Sequence, residues 1–161
     1  MIEFISATII FIIGTLLGSF CTLAIYRIPL KKDITHERSY CPNCKHKLNF
    51  WDLIPVFSYI FLGGKCRYCK QKIRPRYLII EIFSGIIFLL FVMSLKINLY
   101  SFQIGDLIKI VFGMIYICIF TITAGIDLEN RKIEKGLMVF TAITSIAYML
   151  YLYILGVNMY R

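Results

Sequence analysis

The sequence predicts an all-α polytopic membrane protein of about four transmembrane helices, and three observations lead there. Of its 161 residues, 59% are hydrophobic and only 17% charged, a balance too apolar for an ordinary water-soluble domain. The apolar residues gather into four runs, Phe4 to Tyr26, Leu78 to Leu95, Leu107 to Ile126 and Leu137 to Val157. Each would reach roughly 27–34 Å as a helix, enough to cross a hydrocarbon core. The third observation is that Lys and Arg, apart from Lys109, avoid these runs and concentrate between Arg27 and Arg76.

The first run opens on Met1-Ile2-Glu3, without a positive side chain, and its apolar stretch exceeds that of a secretory signal, so it reads as a retained anchor. Arg131, Lys132 and Lys135 follow the third run, whereas the connection between the second and third offers only Lys96. The positive-inside rule then sets the amino terminus outside and both basic loops in the cytoplasm of a multi-pass inner (plasma) membrane protein. Topology and attraction to the anionic lipid bilayer account for the net charge of +9. No nucleic-acid partner is expected, because neither a stacking platform nor a helix-turn-helix pattern is present. Three parts result: residues 1–26 as the first helix, 27–77 as a cytoplasmic loop, and 78–161 as a three-helix membrane block.

That loop carries two Cys-x-x-Cys knuckles, Cys41-Pro42-Asn43-Cys44 and Cys66-Arg67-Tyr68-Cys69, with 21 residues between them. Cytoplasmic thiols stay reduced, which favours metal ligands over disulfides. Two such turns complete a tetrahedral shell of four sulfurs, so Cys41, Cys44, Cys66 and Cys69 form a candidate zinc site. A redox dithiol is the competing reading, but the βαβ pattern that accompanies it is missing. A closed shell of cysteines leaves no open position, which makes the zinc structural. Lys45, Lys47, Lys65, Arg67 and Lys70 would offset its negative charge, and His46 could stand in for a sulfur. Cys21 and Cys118, inside spans, read as small apolar groups. Between the knuckles, Phe50 to Leu62 is strongly apolar yet too short to span; it fits either the underside of a zinc module or an interfacial segment.

Taken together, Gly18-Ser19-Phe20, Tyr26-Arg27-Ile28-Pro29, the first knuckle, Asp52-Leu53-Ile54-Pro55-Val56, Ser58-Tyr59, the stretch Gly64 to Cys69, and Arg76-Tyr77 with Glu81 resemble the bifunctional type IV prepilin peptidase family. The likeness runs from about Gly18 to Ile133, the amino-terminal part of a typical member. It implies a membrane aspartic endopeptidase that cuts the leader from type IV prepilin or pseudopilin precursors at the cytoplasmic face. It also implies N-methylation of the new terminus with S-adenosylmethionine. The family's first catalytic aspartate lies in a motif similar to Ile126-Asp127 with Ile133, which makes Asp127 the catalytic candidate. Independently, Asp127 sits where the third run leaves the bilayer, and a partly desolvated acid there is suited to hydrolysis.

Aspartic hydrolysis needs two carboxyls, and here the chain departs from the family. The second aspartate of the family belongs to a Gly-x-Gly-Asp motif, but no aspartate follows Asp127. Gly105-Asp106 precedes it at the far end of the third run. Thr22 stands for a family asparagine, and Glu134-Lys135 replace the expected Pro with Asp or Asn. Expected explanations are a missing carboxy-terminal half, a degenerate paralogue, or a homodimer in which each copy donates Asp127. Glu129 and Glu134, in a basic turn, are weaker choices for the second acid. Glu81 has two readings, an intramembrane functional acid or a carboxylate reaching back to Arg74 or Arg76. Lys109 reads as a snorkelling lysine. The alternative function is a non-catalytic zinc-bearing membrane protein that binds a pilin leader or a secretion partner.

Overall fold

The structure, a computed structural model, describes residues 2–97, 102–131 and 134–154, apart from the side chains of residues 2, 3 and 130. Lys132, Ile133 and the expected end of the fourth span at Val157 lie outside the described residues. The elements in chain order are α1 (Ile2–Arg27), a 3-10 turn (Phe50–Asp52), α2 (Phe57–Phe61), α3 (Arg76–Ser94), α4 (Ile104–Asn130) and α5 (Lys135–Ile154). Four of them are long and apolar enough to cross a membrane: Phe4–Arg27, Arg76–Ser94, Ile104–Glu129 and Lys135–Ile154. The protein is thus all-α, with the four-cysteine loop between the first two long helices.

Local chemistry sets the helix ends. α1 stops short of Pro29, because a proline disfavours helical geometry in the residue before it. α3 begins directly after Pro75, so Arg76 and Tyr77 belong to the helix, two residues ahead of the apolar run at Leu78. A proline ahead of a first turn lacks only an N–H that would be orphaned there anyway. α4 starts at Ile104, with the Gln103 N–H donating to the Asp106 carboxylate at 3.3 Å. It continues past Ile126 to Asn130, since nothing in Asp127-Leu128-Glu129 breaks a helix. Arg131 ends it in a left-handed conformation, φ 49°, and returns its N–H to the Asp127 carbonyl at 2.8 Å.

α1 and α3 form the tightest pair. Lipid tails are as apolar as leucine, so helices in a bilayer associate through close van der Waals approach at small residues. A Cβ at Gly14 would lie 2.8 Å from the Gly85 Cα, and one at Gly18 would lie 2.9 Å from the Glu81 Cα. α4 closes on α1 through a buried cluster of Cys21, Ala24, Ile25, Ile122 and Ile126. α5 leans on α4, where the Tyr116 hydroxyl donates to Ser145 at 3.1 Å and the rings of Phe112 and Tyr148 lie 4.8 Å apart. Apolar side chains such as Ile79, Leu90, Met138 and Ile146 face outward, as a bilayer solvent requires.

The close α1–α3 approach yields a measurable expectation. Gly14→Leu or Gly18→Leu forces the helices apart and costs about 1–3 kcal/mol. The loss is read as a lower unfolding temperature in detergent. Gly136→Ala, where an added Cβ meets nothing within 4 Å, should leave that temperature unchanged.

Candidate metal centre and adjoining cleft

Both knuckles fold into the same turn. The Cys41 N–H donates to the His46 carbonyl at 3.0 Å and the Lys45 N–H to the Cys41 carbonyl at 2.9 Å. In the second knuckle, Cys66 donates to Gln71 at 2.9 Å and Lys70 to Cys66 at 3.0 Å. Lys45 and Lys70 take matching left-handed conformations, φ 59° and 58°. Isolated bridges between Tyr40 and Lys47 and between Lys65 and Lys72 close the two loops. Gly63 and Gly64, φ 58° and 66°, lead into the second; a side chain at Gly64 would strike the Tyr59 ring at 2.9 Å.

Facing each other, the turns bring the sulfurs of Cys41, Cys44, Cys66 and Cys69 within 4.8 Å of one another, with Cys41 and Cys69 3.9 Å apart. A tetrahedron with Zn–S bonds of ~2.3 Å has edges of about 3.8 Å, so the donor set fits a closed four-thiolate site. The Gln71 N–H pulls the Cys69 thiol down to about 6. At Cys44 the His46 N–H acts in the same direction, but desolvation and the neighbouring sulfurs of Cys41 and Cys69 push it up to about 11. That opposition is the repulsion expected of crowded thiolates, which a divalent cation relieves. His46 lies against Tyr68 with the rings tilted by 33° and their centroids 3.6 Å apart, and is not part of the cluster.

The cation expected at Arg67 is used elsewhere. Its Nε donates to the Asp52 carboxylate at 2.6 Å, and the Tyr68 hydroxyl and Asn49 N–H donate to the same group at 3.1 and 3.2 Å. Desolvation opposes the charge on Asp52, yet these donors outweigh it and hold the carboxyl below its usual range. Asp52 thereby joins the 3-10 turn to the second knuckle. Arg27, 3% exposed at the end of α1, donates to the carbonyls of Asp33, Glu37 and Arg38 at 2.7, 3.0 and 3.2 Å, which fastens the strand of chain entering the first knuckle. The sequence marks Arg27 and Asp52 only as motif members; an arginine ahead of a proline-terminated helix end was the one local sign of this role.

Glu81 reaches neither Arg74 nor Arg76. Buried against Gly18 of α1, its carboxylate accepts the Val56 N–H at 2.8 Å. Val56 has φ 63° and ψ −54°, and Phe57 donates across it to the Pro55 carbonyl at 2.6 Å. This is the rare, strained form of γ-turn, and a β-branched residue there is costlier still. Between α1, the knuckles and the start of α3 lies a cleft of about 490 Å³, lined among others by Ser19, Tyr26, Arg27, Asp52, Tyr77 and Glu81.

Asp127 is exposed in the last turn of α4 and does not line the cleft. Two residues on, Glu129 pairs with Arg76 at the start of α3, so the Asp127 turn and the cysteine loop share one end of the bundle. Asp106 sits at the opposite end of α4, where it pairs with Lys109 at 3.1 Å; that lysine is an ion-pair partner in addition to any snorkelling.

The bacterial peptidase A24 N-terminal domain family matches residues 12–95, just over half of the chain. A prepilin leader peptidase/N-methyltransferase of Vibrio cholerae is 39% identical over 88 residues, covering 50% of this chain and 35% of the relative. Proteins of the same description from Bacillus subtilis and Klebsiella pneumoniae are 32% and 28% identical; each alignment covers 83% of this chain, and 50% and 58% of the relative. No solved structure matches. The chain belongs to the prepilin leader peptidase/N-methyltransferase family. It spans between 24% and 58% of the length of the first curated relatives it matches. Asp127 lies outside the residues that the family domain covers.

Of the two acids that line the cleft, Asp52 is bonded to Arg67, Tyr68 and Asn49, whereas Glu81 accepts the Val56 N–H on one of its two carboxylate oxygens.

Three outcomes follow from this geometry. Elemental analysis of the reduced protein should give one zinc per chain, falling sharply in Cys41→Ser or Cys69→Ser. Glu81→Ala, which orphans the Val56 N–H, should cost about 1–3 kcal/mol in thermal unfolding. Val56→Gly, which relieves the turn, should raise stability in the same assay.

Proposed function

We propose that this chain acts as a membrane aspartic endopeptidase that cleaves the leader of type IV prepilin-like precursors at the cytoplasmic membrane face. The observation that supports the reading is the pairing of Arg76, at the start of α3, with Glu129, in the last turn of α4, which puts Asp127 at the same end of the bundle as the cysteine loop. Charge bias sets that end in the cytoplasm, where the basic residues of 27–77 and Arg131 gather. Zinc on Cys41, Cys44, Cys66 and Cys69 is structural, folding a loop that has little core of its own.

In the reaction, an ionised carboxylate takes a proton from water as its oxygen adds to the scissile carbonyl. A protonated carboxyl donates to the carbonyl oxygen, and the departing amine collects a proton. Asp127 supplies one of these groups. Glu129 is engaged by Arg76, and Asp106 is at the wrong end of α4. In this reading the second carboxyl comes from another polypeptide segment, as when a second copy of the chain supplies its own Asp127. N-methylation of the new terminus, named in the description of the relatives, is the accompanying activity in this reading.

The second reading, a non-catalytic zinc-bearing protein that binds a pilin leader or secretion partner, draws on the lone Asp127. Membranes carrying the chain, incubated with a leader-bearing pilin, separate the two. Cleavage should fall by roughly 10³-fold or more in Asp127→Asn. Asp106→Asn, at the opposite end of α4, should retain it. Undiminished cleavage in Asp127→Asn ends the peptidase assignment of that residue, and leader binding without any cleavage by the wild type supports the second reading.

A further inference from the structure

The stretch between the knuckles has two faces. Inward, Asp52 is held by Arg67 and Tyr68, and the Tyr59 hydroxyl donates to the Ile73 carbonyl at 3.4 Å. Outward, Phe50, Trp51, Phe57, Ile60 and Phe61 are 56–85% exposed. A run of uncovered aromatic side chains of this size marks an interaction surface. Phe50 and Trp51 meet edge to face, 5.9 Å apart, and so present one joint apolar surface.

What covers that surface follows from its height. Val56, in the middle of the stretch, is bonded to Glu81, five residues into α3. At ~1.5 Å per residue this is about 7.5 Å along the helix from its start. Helical side chains lean toward the amino terminus, so the stretch runs beside the first turns of α3, at the level of Arg76 and Tyr77. Tyrosine and arginine are residues that mark a membrane–water boundary. Interfacial segments lie ~5–10 Å into the headgroup and outer acyl layer, the depth these constraints give. Exposed Lys47 and Lys65 flank the apolar residues and suit lipid phosphates.

We propose that residues 50–61 form an interfacial foot that seats the cysteine module on the same bilayer that α1 and α3 cross. The occupant of the apolar face is the headgroup and outer acyl layer of lipid. Docking there holds the mouth of the cleft at the membrane surface and restrains the module against swinging on its two tethers. The proposal is independent of peptidase chemistry.

Trp51 is the single tryptophan, which makes the test direct. The full chain is reconstituted in vesicles of phosphatidylethanolamine and phosphatidylglycerol, and its emission is followed with lipids brominated at shallow or deep acyl positions and with acrylamide. The expected result is a blue-shifted emission, quenched more by shallow than by deep bromines and little by acrylamide. The Phe61→Trp probe in a Trp51→Phe background should behave alike. Red-shifted emission open to acrylamide and indifferent to bromines would overturn the foot. Protection from both quenchers would also overturn it, because protein and not lipid would then cover the face.

Discussion

The hydrogen bond from the Val56 N–H to the Glu81 carboxylate joins two bodies that otherwise have separate logic, a helical bundle and a polar loop. An acid buried beside Gly18 in the α1–α3 contact would be costly without a donor. Val56, for its part, occupies a turn that few residues tolerate. Each oddity is explained by the other. The glycine lets α1 approach closely, the glutamate fits in the resulting groove, and its carboxylate holds the strained turn of the loop at a fixed height on α3.

From that anchor the module is assembled by polar and metal-ligating groups more than by a core. Arg27 gathers three carbonyls at the end of α1, Asp52 gathers Arg67, Tyr68 and the Asn49 N–H, and four sulfurs converge from paired turns. Small modules with little apolar interior commonly depend on such staples, and metal binding then contributes folding free energy directly. The apolar residues that a soluble module would bury are turned outward instead, which is consistent with lipid as part of its surroundings.

The proposed catalytic residue sits at the edge of this assembly. Asp127 projects from the last turn of α4, next to the Glu129–Arg76 pair that ties this turn to α3. One carboxyl can position water or polarise a carbonyl, but not both in one step. Cleavage through Asp127 is therefore a proposal about an assembly of at least two segments, whereas the cysteine cluster is complete within this chain.

The sequence by itself determined the four long apolar helices, the position of the loop and the four cysteines that cluster, because each is a local property: length of an apolar run, charge between runs, and Cys-x-x-Cys spacing. It also led to the family, through motifs that lie close together in the chain. Only tertiary structure decided what the polar motif residues do. One of the two readings of Glu81 pairs it with Arg74 or Arg76 nearby in sequence, yet its partner lies 25 residues away, and Arg67 serves Asp52 instead of the sulfurs. Such pairings depend on which helix faces meet, and small residues such as Gly18 and Gly85 set that by permitting a close approach no periodicity encodes.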